Sequence, residues 1–292
     1  MTGILLVDKP EGVTSAGVIR GLKPRLGKTK AGHLGTLDPF ASGLLPLCLG
    51  EATKIARYLL LEEKAYEGRI RLGRETDTLD RTGTTTVTAP VPAVTDADIA
   101  GVRAAFTGAL RQTPPMYSAL KRDGVPLYAL ARKGVEVERA PRDVTIHTLE
   151  LRLGEADAID FVVRCSKGTY VRVLAADLGR ALGTVAHLET LRRSLVGPFR
   201  VEDAWTPDAL RAAETSTWPL VPIGRALAGM RRIPIEARDL SALRHGRQDC
   251  LHALAAGLPG EPALVVDGAG EVAAVVEMAE PGWRLVRLLV DA

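Results

Sequence analysis

Residues 32–43 constrain the fold of this chain more than any other stretch. They read G-H-L-G-T-L-D-P-F-A-S-G, with three glycines and one proline among twelve positions. Such a density of glycine and proline predicts a shaped loop and not the interior of a helix or strand. Pro39 fixes its own φ angle and disfavours the α conformation at Asp38, and the glycines allow the backbone to approach a bulky ligand closely. We therefore expect this loop to hold one carboxylate rigidly beside a ligand.

An Asp-Pro pair is also a common way to begin a turn, and by itself the dipeptide favours that structural interpretation. The complete string is more specific. It resembles the catalytic motif of the TruB family of tRNA pseudouridine synthases, G-H-x-G-x-L-D-P-x-A-x-G, and it matches that pattern at every fixed position. The resemblance implies that Asp38 is the catalytic residue and that His33 helps to form the pocket for the target base.

Two further segments resemble motifs of the same family. Residues 9–15 match K-P-x-G-x-T-S, which implies that Lys9 supports the active site structurally. Residues 165–172 match C-S-x-G-T-Y-x-R, which implies that Arg172 is the partner of Asp38. An arginine there would favour the ionised carboxylate through its opposite charge. Without the resemblance, Arg172 could be an ordinary cation on a helix surface.

Tyr66 and Leu191 are expected in the same site. A lone tyrosine in a strand is usually a half-buried packing residue, but the Lys-x-Tyr segment resembles the family's active-site tyrosine, which stacks on the target base. Leu191 resembles the family's leucine that packs on the target nucleotide. Residues 76–80 resemble the family's T-D-T-x-D string, and we interpret Asp77 and Asp80 as residues that shape a loop near the site.

The composition indicates an ordinary globular protein. The chain has 292 residues, of which 46% are hydrophobic and 25% charged, enough for one large domain and a small one. The first residues lack the features of a signal peptide, and no apolar run has the length of a membrane span. The three cysteines are far apart and form no metal-binding spacing, which suggests a reducing compartment. We expect a cytoplasmic monomer without metal or membrane contact.

The net charge of +3 is distributed unevenly along the chain. Residues 249–292 carry seven acids and two arginines, a net charge of −5, which leaves +8 on residues 1–248. Lysines and arginines gather in three clusters, within residues 20–30, 121–132 and 192–193. Any one cluster can be a solvated face, but three clusters around one candidate loop fit a polyanionic substrate. The residues expected to contact RNA are Arg20, Lys23, Arg25, Lys28, Lys30, Lys121, Arg122, Arg132, Arg192 and Arg193.

Hydrophobic periodicity and turn signals predict the main elements. The expected strands cover residues 4–7, 44–50, 64–72, 144–153, 159–165, 263–266, 272–277 and 283–290. The expected helices follow Thr14 or Ser15, cover 51–60, run from a capping box at Thr95 and Asp98 to Leu110, cover 171–182, and begin at Thr206-Pro207. Residues 84–95 are expected to form an exposed connection.

The resemblance also implies a domain organisation. Residues 1–228 are expected to form an α+β catalytic domain of the pseudouridine synthase type, with a mixed, mostly antiparallel sheet and flanking helices. An insertion at about 84–143 would grip the RNA. Residues 229–292 are expected to form a small β-barrel that resembles the PUA-type RNA-binding module, because of their position and their short strands.

The implied reaction is the isomerisation of a uridine, at position 55 in the T-arm loop of tRNA, to pseudouridine. The bond between N1 and C1′ breaks, the base turns, and C5 bonds to C1′. Nothing is oxidised or lost, so no cofactor is expected, and no nucleotide-binding or metal-binding motif is found in the sequence. A carboxylate can add covalently or stabilise an electron-poor sugar. The target base must leave the RNA stack to be reached.

Three alternatives remain open at this point. A catalytically silent RNA-binding module would not need Asp38, Tyr66 and Arg172 together. A base-excising glycosylase also uses a carboxylate and a flipped nucleotide, but it releases the free base. RNA-guided, dyskerin-like synthases share the motifs, and the substantial segment between Gly83 and Val144 favours recognition of tRNA without a guide.

Overall fold

The computed structural model describes residues 1–60, 62–155, 157–280 and 282–289. Its strands are β1 (Gly3–Lys9), β2 (Ala31–His33), β3 (Ser42–Leu49), β4 (Lys64–Leu72), β5 (Arg74–Thr76), β6 (Thr85–Thr88), β7 (Gly108–Gln112), β8 (Lys121–Arg122), β9 (Val125–Pro126), β10 (Arg142–Leu153), β11 (Ala158–Cys165), β12 (Ala186–Val196), β13 (Phe199–Arg200), β14 (Leu220–Val221), β15 (Arg231–Pro234), β16 (Pro262–Val266), β17 (Val272–Met278) and β18 (Trp283–Leu288).

The α-helices are α1 (Ser15–Leu26), α2 (Ala56–Leu59), α3 (Asp96–Ala105), α4 (Leu127–Ala131), α5 (Val171–Ala181), α6 (Pro207–Ala212), α7 (Ile223–Ala226) and α8 (Ala237–Arg244). Short 3₁₀ helices cover Gly50–Lys54, Val201–Asp203, Thr215–Thr217 and Asp249–Ala253. Within the described ranges, no helix is long and apolar enough to cross a membrane.

A ten-stranded mixed sheet forms the centre of the molecule, with its main path in the order β14-β1-β3-β12-β4-β11-β10-β7. Only one strand pairing in this sheet, between β3 and β12, is parallel among the described residues, and the others are antiparallel. The predicted α+β class with a mostly antiparallel sheet is confirmed. The parallel pair places the end of the 32–43 loop directly beside β12.

Helix α5 lies over the sheet because one of its faces is apolar. Val171, Leu174 and Leu178 recur at helical spacing, are buried, and belong to the same hydrophobic cluster as Ile70 of β4 and Leu188 of β12. Burial of such a stripe is the main force that holds an amphipathic helix on a sheet. The first turn of α5 is thereby fixed above the strands that carry Tyr66 and Leu191.

Three predicted elements differ from the structure. Residues 51–60 form a 3₁₀ helix followed by the short α2, and not one continuous helix. Helix α3 has the predicted capping box, but it ends at Ala105, because Gly108 has a φ angle of 106° and begins β7 instead. The predicted connection at 84–95 contains β6, whose threonines and valine suit a strand and which pairs with β5.

The C-terminal strands form the small second sheet that the sequence predicts, in the order β15-β16-β17-β18. Among the described residues this sheet is open, with β15 and β18 at its edges and no pairing that closes it into a barrel. Val290, the last residue of the predicted strand 283–290, lies outside the described residues. Leu264 and Val272 of this sheet share a buried cluster with Ile4 and Leu44 of the large sheet, so the two sheets are packed together.

Candidate active site

The segment at 9–15 stabilises the loop that carries Asp38 through hydrogen bonds. The Ser15 hydroxyl donates a hydrogen bond to the Leu37 carbonyl at 3.1 Å and accepts one from the Leu37 amide at 2.8 Å. The amide of Gly12 donates to the Pro39 carbonyl at 2.7 Å. Both neighbours of Asp38 are therefore bonded to one segment, which explains why these two motifs occur together.

Lys9 completes this support. Its side chain is fully buried, and Nζ donates to the carbonyls of Pro10 at 2.9 Å, Val13 at 2.8 Å and Pro39 at 3.4 Å. Burial lowers the pKa of Lys9 to about 8, although the nearby charges of Asp38 and Glu11 act in the opposite direction. The structure places Lys9 as a brace of the loop and not at the surface.

Arg172 meets Asp38 from the first turn of α5. Its Nε atom lies 2.8 Å from Oδ2 of Asp38, and Nη2 lies 3.4 Å from Oδ1. The guanidinium also donates to the carbonyls of Thr78 and Tyr117, both at 2.8 Å. Arg172 is only 4% exposed, so the structure does not support the alternative of a solvent-facing cation.

Asp80 is the second carboxylate near Arg172. Its Oδ2 lies 3.8 Å from Nε of Arg172, while Oδ1 accepts hydrogen bonds from the amide of Thr82 at 2.9 Å and from the hydroxyl of Thr78 at 2.9 Å. Asp77 accepts from the amide of Thr84 at 2.8 Å. Both aspartates shape the turn between β5 and β6, and Asp80 also adds negative charge beside Arg172.

The electrostatics of Asp38 are a balance of opposing effects. Burial raises the pKa of this carboxyl group above its ordinary value. The positive charge of Arg172 opposes the rise, the charge of Asp80 adds to it, and Lys9 opposes it more weakly. Arg172 is thus the main group that favours the ionised form of Asp38.

Asp38 and Arg172 open into a cavity of about 360 Å³. Its lining includes Tyr66 of β4 and Leu191 of β12, so four of the predicted site residues meet in one place. The volume lies at the lower end of the range for small-molecule pockets. Residues 118–120 of the insertion and 166–169 before α5 complete the walls. The cavity can hold one flat ring with a carboxylate at its side.

Arg193 also lines this cavity, but its side chain is buried and not exposed at the protein surface. Its side chain is 1% exposed, Nε donates to the Leu44 carbonyl at 2.8 Å, and Nη2 donates to the Gly35 carbonyl at 3.1 Å. Arg193 is therefore not one of the solvent-exposed cations, and its predicted contact with RNA would have to be made inside the cavity. Its charge also opposes the rise that burial causes in the pKa of Tyr66.

His33 is not brought into the cavity. It lies half-buried on β2 and is absent from the described cavity lining, and Nδ1 has no hydrogen-bond partner among the described residues. Burial and the charge of Arg193 both lower the pKa of the imidazole, which favours its neutral form.

The other predicted RNA contacts divide into free and engaged cations. Arg192 pairs with Asp8 at 2.8 Å, Arg25 donates to the carbonyl of Ala213, Lys23 donates to Thr29 at 3.2 Å, and Arg122 donates to Glu138 at 3.1 Å. The exposed residues for which the described contacts show no ion pair include Arg20, Lys28, Lys30, Lys121 and Arg132.

Two residues at the site were not singled out from the sequence. Ser118 is 5% exposed and lines the cavity, and Gln112 is 3% exposed and bonds the backbone just before α5. Both lie in the insertion at about 84–143 that is expected to grip the RNA. Among the residues that the structure describes, no group of three or more His, Cys, Asp or Glu side chains could hold a metal ion.

Known proteins match this chain over most of its length. Residues 23–171 match the family model of the TruB family pseudouridylate synthase N-terminal domain, and residues 172–218 match that of the tRNA pseudouridylate synthase B C-terminal domain. The chain is 53% identical over 258 residues to a protein of Aromatoleum aromaticum named tRNA pseudouridine synthase B, which covers 88% of this chain and 83% of that relative.

A protein of the same name from Dechloromonas aromatica is 42% identical over 295 residues, covering 98% of this chain and 96% of the relative. Among solved structures, a chain of a Cbf5-Nop10-Gar1 complex is 26% identical, with a TM-score of 0.74 over 100% of this chain and 84% of that chain. Because these family models and relatives match most of its length, the chain belongs to the TruB family of pseudouridylate synthases.

Proposed function

We propose that this protein converts a uridine of tRNA to pseudouridine, and that its target is position 55 in the loop of the T arm. The observation that carries the proposal is the pair formed by Asp38 and Arg172 at the wall of a cavity that Tyr66 and Leu191 also line. The relatives of 42–53% identity are named tRNA pseudouridine synthase B, which supports tRNA as the substrate.

The reaction needs an ionised carboxylate close to the target nucleotide. Asp38 acts either as a nucleophile or as the partner of an electron-poor C1′ atom. The N1–C1′ bond breaks, the base turns, C5 bonds to C1′, C5 loses its proton and N1 gains one, so that atoms and electrons balance. Arg172 favours the ionised form of Asp38, because its charge opposes the rise that burial causes in the pKa.

The shape of the cavity supports a base that has left the RNA stack. Asp38 lines a cavity walled by β4, β12, α5 and the insertion, and a base inside a duplex cannot enter such a cavity. Tyr66 presents a ring to the base, and Leu191 presents an apolar side chain to the nucleotide. Residues 118–120 bring the insertion into the lining of the cavity.

The RNA outside the cavity would meet the exposed cations. Arg20, Lys28 and Lys30 lie on or next to α1, ahead of the catalytic loop, and Lys121 and Arg132 lie in the insertion. Contacts of this kind go mainly to phosphates and orient the RNA without reading its sequence. The domain boundary near residue 228 and a monomeric state belong to the same proposal.

The test is incubation of the full chain with an unmodified T-arm stem-loop, followed by digestion to nucleosides and chromatography. We expect pseudouridine in place of one uridine, without free uracil and without any guide RNA. Free uracil would identify a glycosylase, and activity that requires a guide would identify a dyskerin-like enzyme. A stem-loop with cytidine at the target position is the control, and it should yield no pseudouridine.

A further inference from the structure

Gln112 is a buried side chain whose two polar atoms bond one residue of another element. It ends β7 and is 3% exposed. Its Oε1 atom accepts a hydrogen bond from the Tyr170 amide at 3.0 Å, and its Nε2 atom donates to the Tyr170 carbonyl at 3.4 Å. The side-chain amide of Gln112 thus bonds both the backbone N–H group and the backbone carbonyl group of Tyr170.

Tyr170 is the N-cap residue of α5 and lacks a side-chain cap. Helices are usually capped by Ser, Thr, Asp or Asn at this position, and an uncapped N-terminus leaves backbone amides without acceptors. The Tyr170 carbonyl already accepts the first bond of the helix from Leu174, at 3.1 Å. Gln112 therefore supplies, from a different part of the chain, the contacts that fix where α5 begins.

The position of the α5 start determines the position of Arg172. Arg172 is the second residue of the helix, and its guanidinium contacts Asp38 at 2.8 Å and the Tyr117 carbonyl at 2.8 Å. Tyr117 lies five positions after Gln112. The segment from Gln112 to Tyr117 is consequently tied to the beginning of α5 at both of its ends.

We propose that Gln112 is a positioning residue for the reaction, which holds the first turn of α5 so that Arg172 reaches Asp38. The inference rests on the proposed function. Gln112 is absent from the described lining of the cavity, so it acts through Tyr170 and Arg172 and does not touch the substrate. Displacements of about 1 Å at a catalytic group can cost about 100-fold in rate. A small shift of the start of α5 is therefore sufficient to slow the reaction.

The first test compares Gln112→Met with the native chain on a saturating T-arm stem-loop. Methionine has a similar length but cannot bond the Tyr170 backbone. We expect the single-turnover rate to fall about 10- to 100-fold, while the Kd for the stem-loop changes less than about threefold. Gln112→Asn, which keeps the amide on a shorter side chain, should show a smaller fall in the same direction.

Thr95→Ala is the matched control for lost stability. Thr95 caps α3 by accepting a hydrogen bond from the Asp98 amide at 3.2 Å, and it lies outside the cavity lining. Its loss should lower the melting temperature while the rate stays native. An equal fall in rate for Thr95→Ala and Gln112→Met, at matched loss of melting temperature, would reduce Gln112 to a structural role and overturn the proposal.

A second readout does not depend on activity. The carboxyl pKa of Asp38 can be followed by NMR in the RNA-free protein, and Gln112→Met should raise it, because a displaced Arg172 opposes burial less. Thr95→Ala should leave it unchanged. An unaltered pKa together with a native rate in Gln112→Met would refute the positioning role. If the native chain makes no pseudouridine, the proposed function fails. The pKa comparison then still tests whether Gln112 positions Arg172 beside Asp38.

Discussion

The Arg172 guanidinium is divided between a carboxylate and two backbone carbonyls. It faces Asp38 through Nε, at 2.8 Å from Oδ2, and donates through its two terminal nitrogens to Thr78 and Tyr117. The two carbonyls belong to the loop after β5 and to the insertion. Because one side chain bonds both segments and Asp38, the geometry of the carboxylate depends on parts of the chain far apart in sequence.

Asp38→Asn should abolish pseudouridine formation and leave the affinity for the stem-loop nearly native. An amide can neither act as nucleophile nor accept a proton, whereas its size and shape are close to those of the carboxyl group. The measurement is nucleoside analysis of the product, together with a binding titration. Appreciable turnover by this variant would remove Asp38 from the mechanism.

Arg172→Lys should lower turnover strongly and affinity less. Lysine keeps the charge but cannot reproduce a planar fork with several directed donors. In the variant, the positive charge opposes less of the rise that burial causes in the pKa of Asp38, so this pKa should be higher than in the native chain. The acidic limb of the pH–rate profile should therefore move to higher pH. A native rate and an unmoved limb would contradict the pairing.

The pair of Asp38 and Arg172 was predicted through the resemblance of two contiguous motifs to those of a known family. A motif carries its own local geometry: Pro39 and the glycines shape one loop, and the apolar stripe of α5 places Arg172 at the first turn. Five of the ten strands of the large sheet (β1, β3, β4, β10 and β11) were also predicted closely, since their apolar residues are continuous or alternate, whereas the central strand β12 was not predicted. For these five strands, the local pattern of apolar residues determines where the strand lies, and the sequence was sufficient to predict its bounds.

Arg193 and Gln112 show where local pattern is not sufficient. The sequence around Arg193 looks like a basic cluster, but β12 pairs in parallel with β3 and turns this side chain under the 32–43 loop. Gln112 bonds a backbone 58 positions away. Both roles arise from pairings between distant strands and helices, which spacing along the chain does not reveal.

Arg193→Met should lower stability and turnover without lowering the salt dependence of RNA binding. The carbonyls of Gly35 and Leu44 lose their buried donor, and such changes cost about 2–5 kcal/mol. A phosphate contact would instead reduce the salt slope by about 1. Lys28→Met is the matched control: this exposed cation should lower the slope and leave the melting temperature native. A lowered slope for Arg193→Met would restore it as an RNA contact.

Lys9→Met should reveal the lowered pKa of Lys9 through the pH dependence of unfolding. Near pH 8 and below, the folded protein keeps Lys9 charged at a cost that the unfolded chain does not have. As the pH rises from about 8 towards the ordinary value of 10.5, the folded state loses the proton first and this cost disappears. The stability of the native chain relative to the variant should therefore increase, by at most about 3 kcal/mol.

Urea unfolding of both proteins at pH 8 and pH 10 measures this difference. Groups that the two proteins share cancel in the comparison, so that a remaining pH dependence belongs to Lys9 and to the charges beside it. A stability difference that is constant over this interval would show that Lys9 has an ordinary pKa in the folded protein.

The C-terminal sheet presents a conflict between its charge and its expected contact with RNA. Residues 249–292 carry a net charge of −5, which repels phosphate. Removal of the whole unit would expose the cluster in which Leu264 and Val272 pack against Ile4 and Leu44. A substitution at the surface is therefore a cleaner test than a deletion.

Arg244→Glu should weaken the binding of whole tRNA and lower its salt slope, while turnover on a saturating T-arm stem-loop stays native. Several nearby cations are already engaged: Arg231 with Glu261, Arg238 with Glu236 and Arg247 with Asp249. Arg244 ends α8, is exposed, and has no ion pair among the described residues. Fewer released counterions mean a shallower dependence of tRNA affinity on salt.

Arg284→Glu, in the acidic sheet, is the matched control and should bind tRNA as the native chain does. Equal affinity and slope for Arg244→Glu and the native chain would show that this surface does not hold tRNA.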